Sequence, residues 1–313
     1  GVQSLLDVSG TGSGKQDAQV VGFRMGPRLN AAGRMGHARD AIELFTTADG
    51  PRADELARTL SSLNRKRQEV ERSILEQAKE MAVEQGMTEP GRHAIVLRHP
   101  DWHPGVVGIV CSRLVELYGR PTILMQDDGG QCRGSARSIN GYSIHGALAH
   151  CEEHIVTYGG HDMAAGMTVE SNCFDDFAEA IISHASEHIA PQDLMPELKI
   201  DTEIMRREIT NSAIMQLTEL RPFGRGNPAP RVLLRDMTII HAVPFGKTSD
   251  HLKLKLKDEA GAAPPLEAIW WGQAERCDAL RSRQVNVVGK LEIDDYSRRP
   301  CLVVDDLACE GGV

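Results

Sequence analysis

With 313 residues the chain exceeds the size that one hydrophobic core usually serves, so two or three domains are expected. Its hydrophobic content of 41% is that of an ordinary globular protein, and no apolar run reaches the roughly 18 residues of a membrane helix, which argues against a membrane partner. A formal charge of −9 excludes a uniformly basic coating protein but leaves room for a local basic track facing a nucleic acid.

The chain opens on Gly1-Val2-Gln3-Ser4, neither an initiator methionine nor a signal peptide, and is expected to be a fragment. The string Gly10-Thr11-Gly12-Ser13-Gly14-Lys15 fails the phosphate-loop spacing because Gln16 follows the lysine, and it reads as a loop. From Arg24 to Arg39 the chain carries four arginines and no acid. Within that stretch, Gly26-Pro27-Arg28-Leu29-Asn30-Ala31-Ala32-Gly33-Arg34-Met35-Gly36 interleaves glycines with guanidinium forks that match phosphate oxygens. It reads as a groove for a phosphodiester, with a solvated basic turn as the alternative.

Residues 38–48 predict a short helix. From Pro51 to Gln85 no Gly or Pro intervenes, and Leu56, Leu60, Leu63, Val70, Ile74, Ala78 and Met81 recur at helical spacing. That is a single amphipathic helix of about 50 Å, an inter-domain strut rather than a coiled coil because Arg67 falls on its apolar seam. Strand and helix signals alternate over 93–190, which argues for an α/β domain. This part is also the most acidic, with six Lys and Arg against twelve Asp and Glu over 91–192. After Pro191 and Pro196, strand-like segments at 198–205, 231–241, 251–257, 266–271, 285–293 and 301–308, with one helix at 210–220, suit an OB-type β-barrel. Seven cysteines without a CxxC pair argue against a disulfide framework or zinc ribbon and for a reducing, cytoplasmic setting. No metal ligand set is assigned.

Three further clusters carry chemistry. In His103-Pro104-Gly105-Val106-Val107-Gly108 a glycine-rich turn precedes an apolar helix whose first amides favour an anion. Arg133-Gly134-Ser135-Ala136-Arg137-Ser138 lies on a strand whose alternation points Arg133, Ser135 and Arg137 to one side. Gly159-Gly160-His161-Asp162-Met163-Ala164-Ala165-Gly166 frames a histidine donor with residues that permit close approach.

With these residues together, the chain resembles the RecJ family of single-stranded-DNA exonucleases in the DHH superfamily. The resemblance rests on GFRMGPRLNAAGRMG (22–36), HPGVVGIVCSRL (103–114), GSARS (134–138), GGHDMAAG (159–166) and PFGRGNP (222–228). It implies an α/β multidomain chain. Residues 1–50 would be the end of the catalytic DHH domain, 51–90 a long connecting helix, 91–192 the DHH-associated α/β domain, and 198–313 the OB domain. By the family pattern Arg28, Asn30 and Arg34 face the substrate backbone. Ser135 and Arg137 bind the 5′ phosphate, and His161, the catalytic candidate, stands against the scissile phosphate. His103, Gly105, Gly159 and Gly160 line the same cleft. Lys253, Lys255 and Lys257 share one face of a barrel strand and would track DNA.

The implied function is 5′-to-3′ exonuclease action on single-stranded DNA in repair and recombination. It would depend on Mn²⁺ or Mg²⁺, whose ligands the family places ahead of the region where this chain begins. The chain alone would then be inactive, supplying phosphate and strand binding. A single-strand-binding protein or a helicase is the further partner class. The alternatives are a non-catalytic single-strand-binding module and a small-oligonucleotide or cyclic-dinucleotide phosphodiesterase of the same superfamily, the latter disfavoured by the barrel.

Overall fold

The computed structural model describes residues 1–12, 18–195, 197–224, 226–259, 261 and 263–309. Lys15 of the glycine-rich string and Arg225 of the PFGRGNP motif lie outside them. The chain forms two compact units, Gly1–Glu197 and Leu198–Val313.

The first unit begins with helices: α1 (Val2–Val8), a π-helical turn (Val20–Met25), α2 (Gly26–Met35), α3 (Ala38–Thr46) and α4 (Gly50–Glu84). The stretch read from sequence as a glycine-lined groove or turn is therefore a helix. Pro27 sits in its first turn, where no amide donor is lost, and Ala31 and Ala32 are buried. Burial of one face thus outweighs the modest cost of Gly33 inside the helix.

The 35-residue α4 follows the predicted apolar seam and joins two cores. Leu56, Ala57 and Leu60 pack with Leu5, Leu6, Met25, Ala32 and Leu44. Farther on, Ile74, Ala78 and Ala82 pack with Ile95, Leu97, Trp102, Val107 and Leu114. Arg67, between the two, ion-pairs with Glu71 one turn on and donates from Nε to Asn64 Oδ1 at 3.3 Å. Both members of that pair are largely covered, at 11% and 15% side-chain exposure, so the charge on the seam is neutralised where it lies.

The α/β part is a five-stranded sheet in the order β1-β2-β3-β5-β4. Its strands are β1 (Ile95–His99), β2 (Thr122–Asp127), β3 (Gln131–Arg137), β4 (Thr157–His161) and β5 (Ala164–Glu170). Only β1 and β2 are parallel, joined through helix α5 (Pro104–Tyr118). Alternation divides the faces. Ile95, Leu97 and Leu124 point to α5 and α4. Val96, Ile123, Met125, Ala136 and Val169 point to α6 (Ile144–His150) and α7 (Phe174–His188), where Phe177 and Ile181 fill the layer.

In the second unit, a two-residue strand β6 (Thr202–Glu203) and helix α8 (Asn211–Thr218) precede five longer strands. These are β7 (Val232–Phe245), β8 (His251–Asp258), β9 (Leu266–Trp270), β10 (Gln284–Ile293) and β11 (Pro300–Cys309), with a short helix α9 (Cys277–Leu280) before β10. Strand β7 pairs with β8, β8 with β9, β9 in parallel with β11, β11 with β10, and β10 with β7, so the pairings run in a ring. That connectivity is the OB-type barrel expected from the strand spacing. Leu252, Leu254, Leu256, Val285, Val287 and Leu302 fill it.

Candidate nucleic-acid interface

The candidate surface is a face of the sheet. Residues paired across strands share a face, and the registers build three parallel rows: Arg137–Ala164–His161, Ser135–Gly166–Gly159 and Arg133–Thr168–Thr157. Arg133, Ser135 and Arg137 thus stand on one side, as alternation predicts. Two of the three positions in the middle row have no side chain, and both glycines are exposed. The result is a bare shelf of backbone, bordered on one side by Arg137 and His161 and on the other by Arg133. Arg137 and His161 are two strands apart, about 10 Å at the usual strand spacing.

Helix α5 closes the Ser135 end of this shelf. A Cβ on Gly108 would lie 3.2 Å from both Ser135 Oγ and Arg137 Nη2, so helix backbone runs directly against the two polar groups. Cys111 donates from Sγ to Ser135 O at 3.1 Å, and burial pushes its thiol up to about 12. It is a donor within the packing rather than a nucleophile. The helix starts at His103, whose Nδ1 accepts from Gly105 N at 3.1 Å and caps it. Gly105 is required by close approach: a Cβ there would sit 2.6 Å from Arg34 O. Across the same junction Arg34 donates from Nη1 to Gly105 O at 3.0 Å.

Arg34 is therefore pinned at the α5 start, within the influence of two other cations. Burial, then Arg67 and Arg137, lower its pKa, with Glu71 partly opposing. A guanidinium held beside like charges lowers its energy by gaining an anion. Arg28 belongs to a second group. It donates from Nη1 to Arg24 O at 2.6 Å and from Nε to Ser61 Oγ at 3.3 Å, and burial, then Arg24 and Arg65, lower its pKa. Asn30, one turn before Arg34 on α2, is exposed.

The structure thus brings together Arg34, His103, Gly105, Ser135 and Arg137, with His161 and Gly159 two strands away on β4, whereas Gly160, expected beside them, pairs with Ala165 and faces the α6–α7 side of the sheet. Arg28 is held with Arg24 and Arg65 instead. Ser61, Arg65 and Arg67 were not legible as contributors, because they sit among the charges of a long helix and only packing shows which turn faces α2.

The hairpin carrying His161 is firmly held. Gly160 has φ of +148°, favouring glycine, and a Cβ there would collide with Ala164 O at 2.4 Å. Beyond it, Ser143 donates from Oγ to Asp162 Oδ1 at 2.5 Å, Ile144 N to Asp162 O at 2.9 Å, and Ser138 N to Met163 O at 3.1 Å. The tip is tied to the loop before α6, which fixes where the imidazole stands. Among the described residues, no group of three or more His, Cys, Asp or Glu is placed to hold a metal ion.

Within the PFGRGNP motif, Gly224 and Asn227 form an isolated antiparallel bridge. Asn227 donates from Nδ2 to Leu220 O at 2.8 Å and Pro222 O at 3.0 Å. Of the three barrel lysines, Lys253 is engaged by Glu267 at 2.8 Å, whereas Lys255 and Lys257 are exposed without an acidic partner among the described residues.

Residues 91–187 match the family model of the DHHA1 domain, and residues 200–305 that of the RecJ OB domain. A relative in Bacillus subtilis, the single-stranded-DNA-specific exonuclease RecJ, is 32% identical over 98% of this chain and 39% of its own length. The crystal structure of Thermus thermophilus RecJ with Mn²⁺ superposes with a TM-score of 0.79 at 30% identity, over 99% of this chain and 45% of that one. The same protein with Mg²⁺ gives 0.78 at 30% identity, over 97% and 46%. The chain spans less than half the length of each.

Proposed function

The chain belongs to the RecJ family, within the DHH superfamily of nucleases, and from that premise we propose that it serves a single-stranded-DNA-specific exonuclease working from the 5′ end in repair and recombination. Its part is to capture the terminal phosphate and guide the strand. The observation carrying this reading is the glycine shelf, bordered by Arg137 and His161 and abutted by the α5 backbone at Ser135.

In this reading the 5′ phosphate lies at the Ser135 end. The Ser135 hydroxyl donates to one oxygen and the Arg137 guanidinium makes charge-assisted bonds to others. Arg34, whose pKa is lowered by burial and then by Arg67 and Arg137, supplies the second cation. The sugar–phosphate chain crosses the shelf, where the missing side chains at Gly159 and Gly166 allow backbone to meet backbone. His161 stands at the far edge as donor to the next phosphate, the scissile one. A divalent cation is proposed for hydrolysis because the Thermus relatives hold Mn²⁺ or Mg²⁺. The described residues offer no ligand set that fits one, so the steps assigned to this chain are binding and positioning. Seven unpaired cysteines support a reducing, cytoplasmic setting.

The test is equilibrium binding of matched oligodeoxynucleotides ending in a 5′ phosphate or a 5′ hydroxyl. Arg137→Ala is expected to weaken the phosphorylated strand about tenfold, as for loss of one charge-assisted bond, and to change the hydroxyl strand little. Equal loss for both would remove the phosphate from this end of the shelf.

A further inference from the structure

On the barrel, one row of side chains is aromatic. Phe245 on β7 is paired with His251 on β8, and Trp271 follows directly on the β9 residue paired with Leu252. Phe245, His251 and Trp271 therefore lie side by side across three strands on the outer surface. Their rings touch: His251 and Trp271 are 4.7 Å apart between centroids at 76°, Phe245 and His251 5.5 Å at 62°, and Phe245 and Trp271 5.7 Å at 52°. Gly272 N donates to His251 Nδ1 at 3.1 Å, which fixes the imidazole plane. Trp270 is only 5% exposed and stacks under Arg276, whereas Trp271 is 52% exposed.

We propose that Trp271, oriented by Phe245 and His251, is a stacking subsite for an unpaired base of a single-stranded nucleic acid. The inference rests on the single-strand reading above and assigns it a place on the barrel. Every base has a π-face that an indole can cover, whatever its sequence. The occupant follows from the charge beside the row. His251, Lys253, Lys255 and Lys257 alternate along β8 on the same outer face. Lys253 is spent on Glu267, but Lys255 and Lys257 remain exposed to meet backbone phosphates. A π-platform continued by cations suits a strand whose bases and phosphates are both accessible. A purely apolar peptide would leave the lysines unused. With one of the three lysines neutralised, stacking contributes more to the hold, and charge less, than the lysine pattern alone suggests.

The experiment uses the whole chain and two short strands ending in 5′ hydroxyl, an oligodeoxythymidylate and an abasic deoxyribose-phosphate strand of equal length. Trp102 and Trp270 are buried, so among the three tryptophans base-dependent fluorescence quenching reports Trp271. Trp271→Ala is expected to weaken the thymidylate about tenfold, the scale of one base–aromatic stack, and to leave the abasic strand unchanged. Trp271→Phe should retain most of the affinity, which separates stacking from misfolding. Replacing Lys255 and Lys257 by Ala should weaken both strands and flatten the salt dependence. Equal effects of Trp271→Ala on the two strands, or none, would overturn the subsite. Neither strand carries a 5′-terminal phosphate, so a wrong assignment of Arg137 to that phosphate would leave these readouts intact. Failure of the wild-type chain to bind either strand would instead sink the single-strand reading itself.

Discussion

Two arginines six residues apart on α2 meet different fates, and the difference is set by which neighbouring helix each one faces. Arg34 reaches Gly105 O, while Arg28 turns to Ser61 and Arg24 O. The motif identifies both as phosphate-seeking, but spacing alone does not say that they join separate cationic groups. Ser135 and Arg137 were readable because a strand's period of two fixes their side without further information. A histidine group away from the shelf illustrates a purely packing-borne property. His184 accepts from, or donates to, the Tyr142 hydroxyl at 2.9 Å and stacks on His188 at 4.0 Å, with His150 at 5.0 Å. Burial first, then His188 and His150, lower its pKa, with Glu187 opposing. The folded protein thus binds this proton more weakly than the unfolded chain does. Its contribution to stability is complete above the ordinary histidine range near pH 6.5 and is lost as pH falls below it. A Tm measured against pH should decline below that range, and His184→Gln should flatten the decline. An unchanged slope would dismiss the group as the cause.

Among elements, the long helix and the α5 helix follow directly from apolar periodicity and a proline-initiated start. Helix α2 does not, because Gly26, Pro27, Gly33 and Gly36 look like turn chemistry and only its packing on α4 makes the helix worthwhile. Strand β4 was illegible for a related reason. Gly159 and Gly160 cancel the strand preference of Thr157 and Tyr158, and the segment extends because β5 offers a free edge with which to pair. The junction of α2 and α5 can be tested at Gly105. Gly105→Ala would drive a methyl toward the Arg34 carbonyl, 2.6 Å away, and backbone cannot yield as a side-chain tip can. Thermal or denaturant unfolding should show a loss of about 1–3 kcal/mol. A fully stable variant would mean that the two helices separate without cost.

At the scale of the molecule, the division into an α/β unit and a barrel was visible in the switch from alternating elements to evenly spaced short strands. What could not be seen was the ring of pairings, since β9 meets β11 in parallel across an intervening helix and strand. The barrel has a core of its own, so a cavity there should be felt there. Leu254 is fully buried, and Leu254→Ala should cost about 2–5 kcal/mol. Calorimetry should show the barrel transition falling while the α/β transition stays in place, and a shift of both together would show that the units unfold as one.

Helix α4 imposes a condition of phase on the chain. Leu60 and Ile74 dock into different cores, and the interval between them amounts to nearly four helical turns, so both anchors emerge on one stripe. A single inserted residue within that interval would swing every later anchor by roughly 100° and advance it by about 1.5 Å. Solvent-facing identities such as Lys66 can therefore change freely, whereas the count of residues between the anchors cannot.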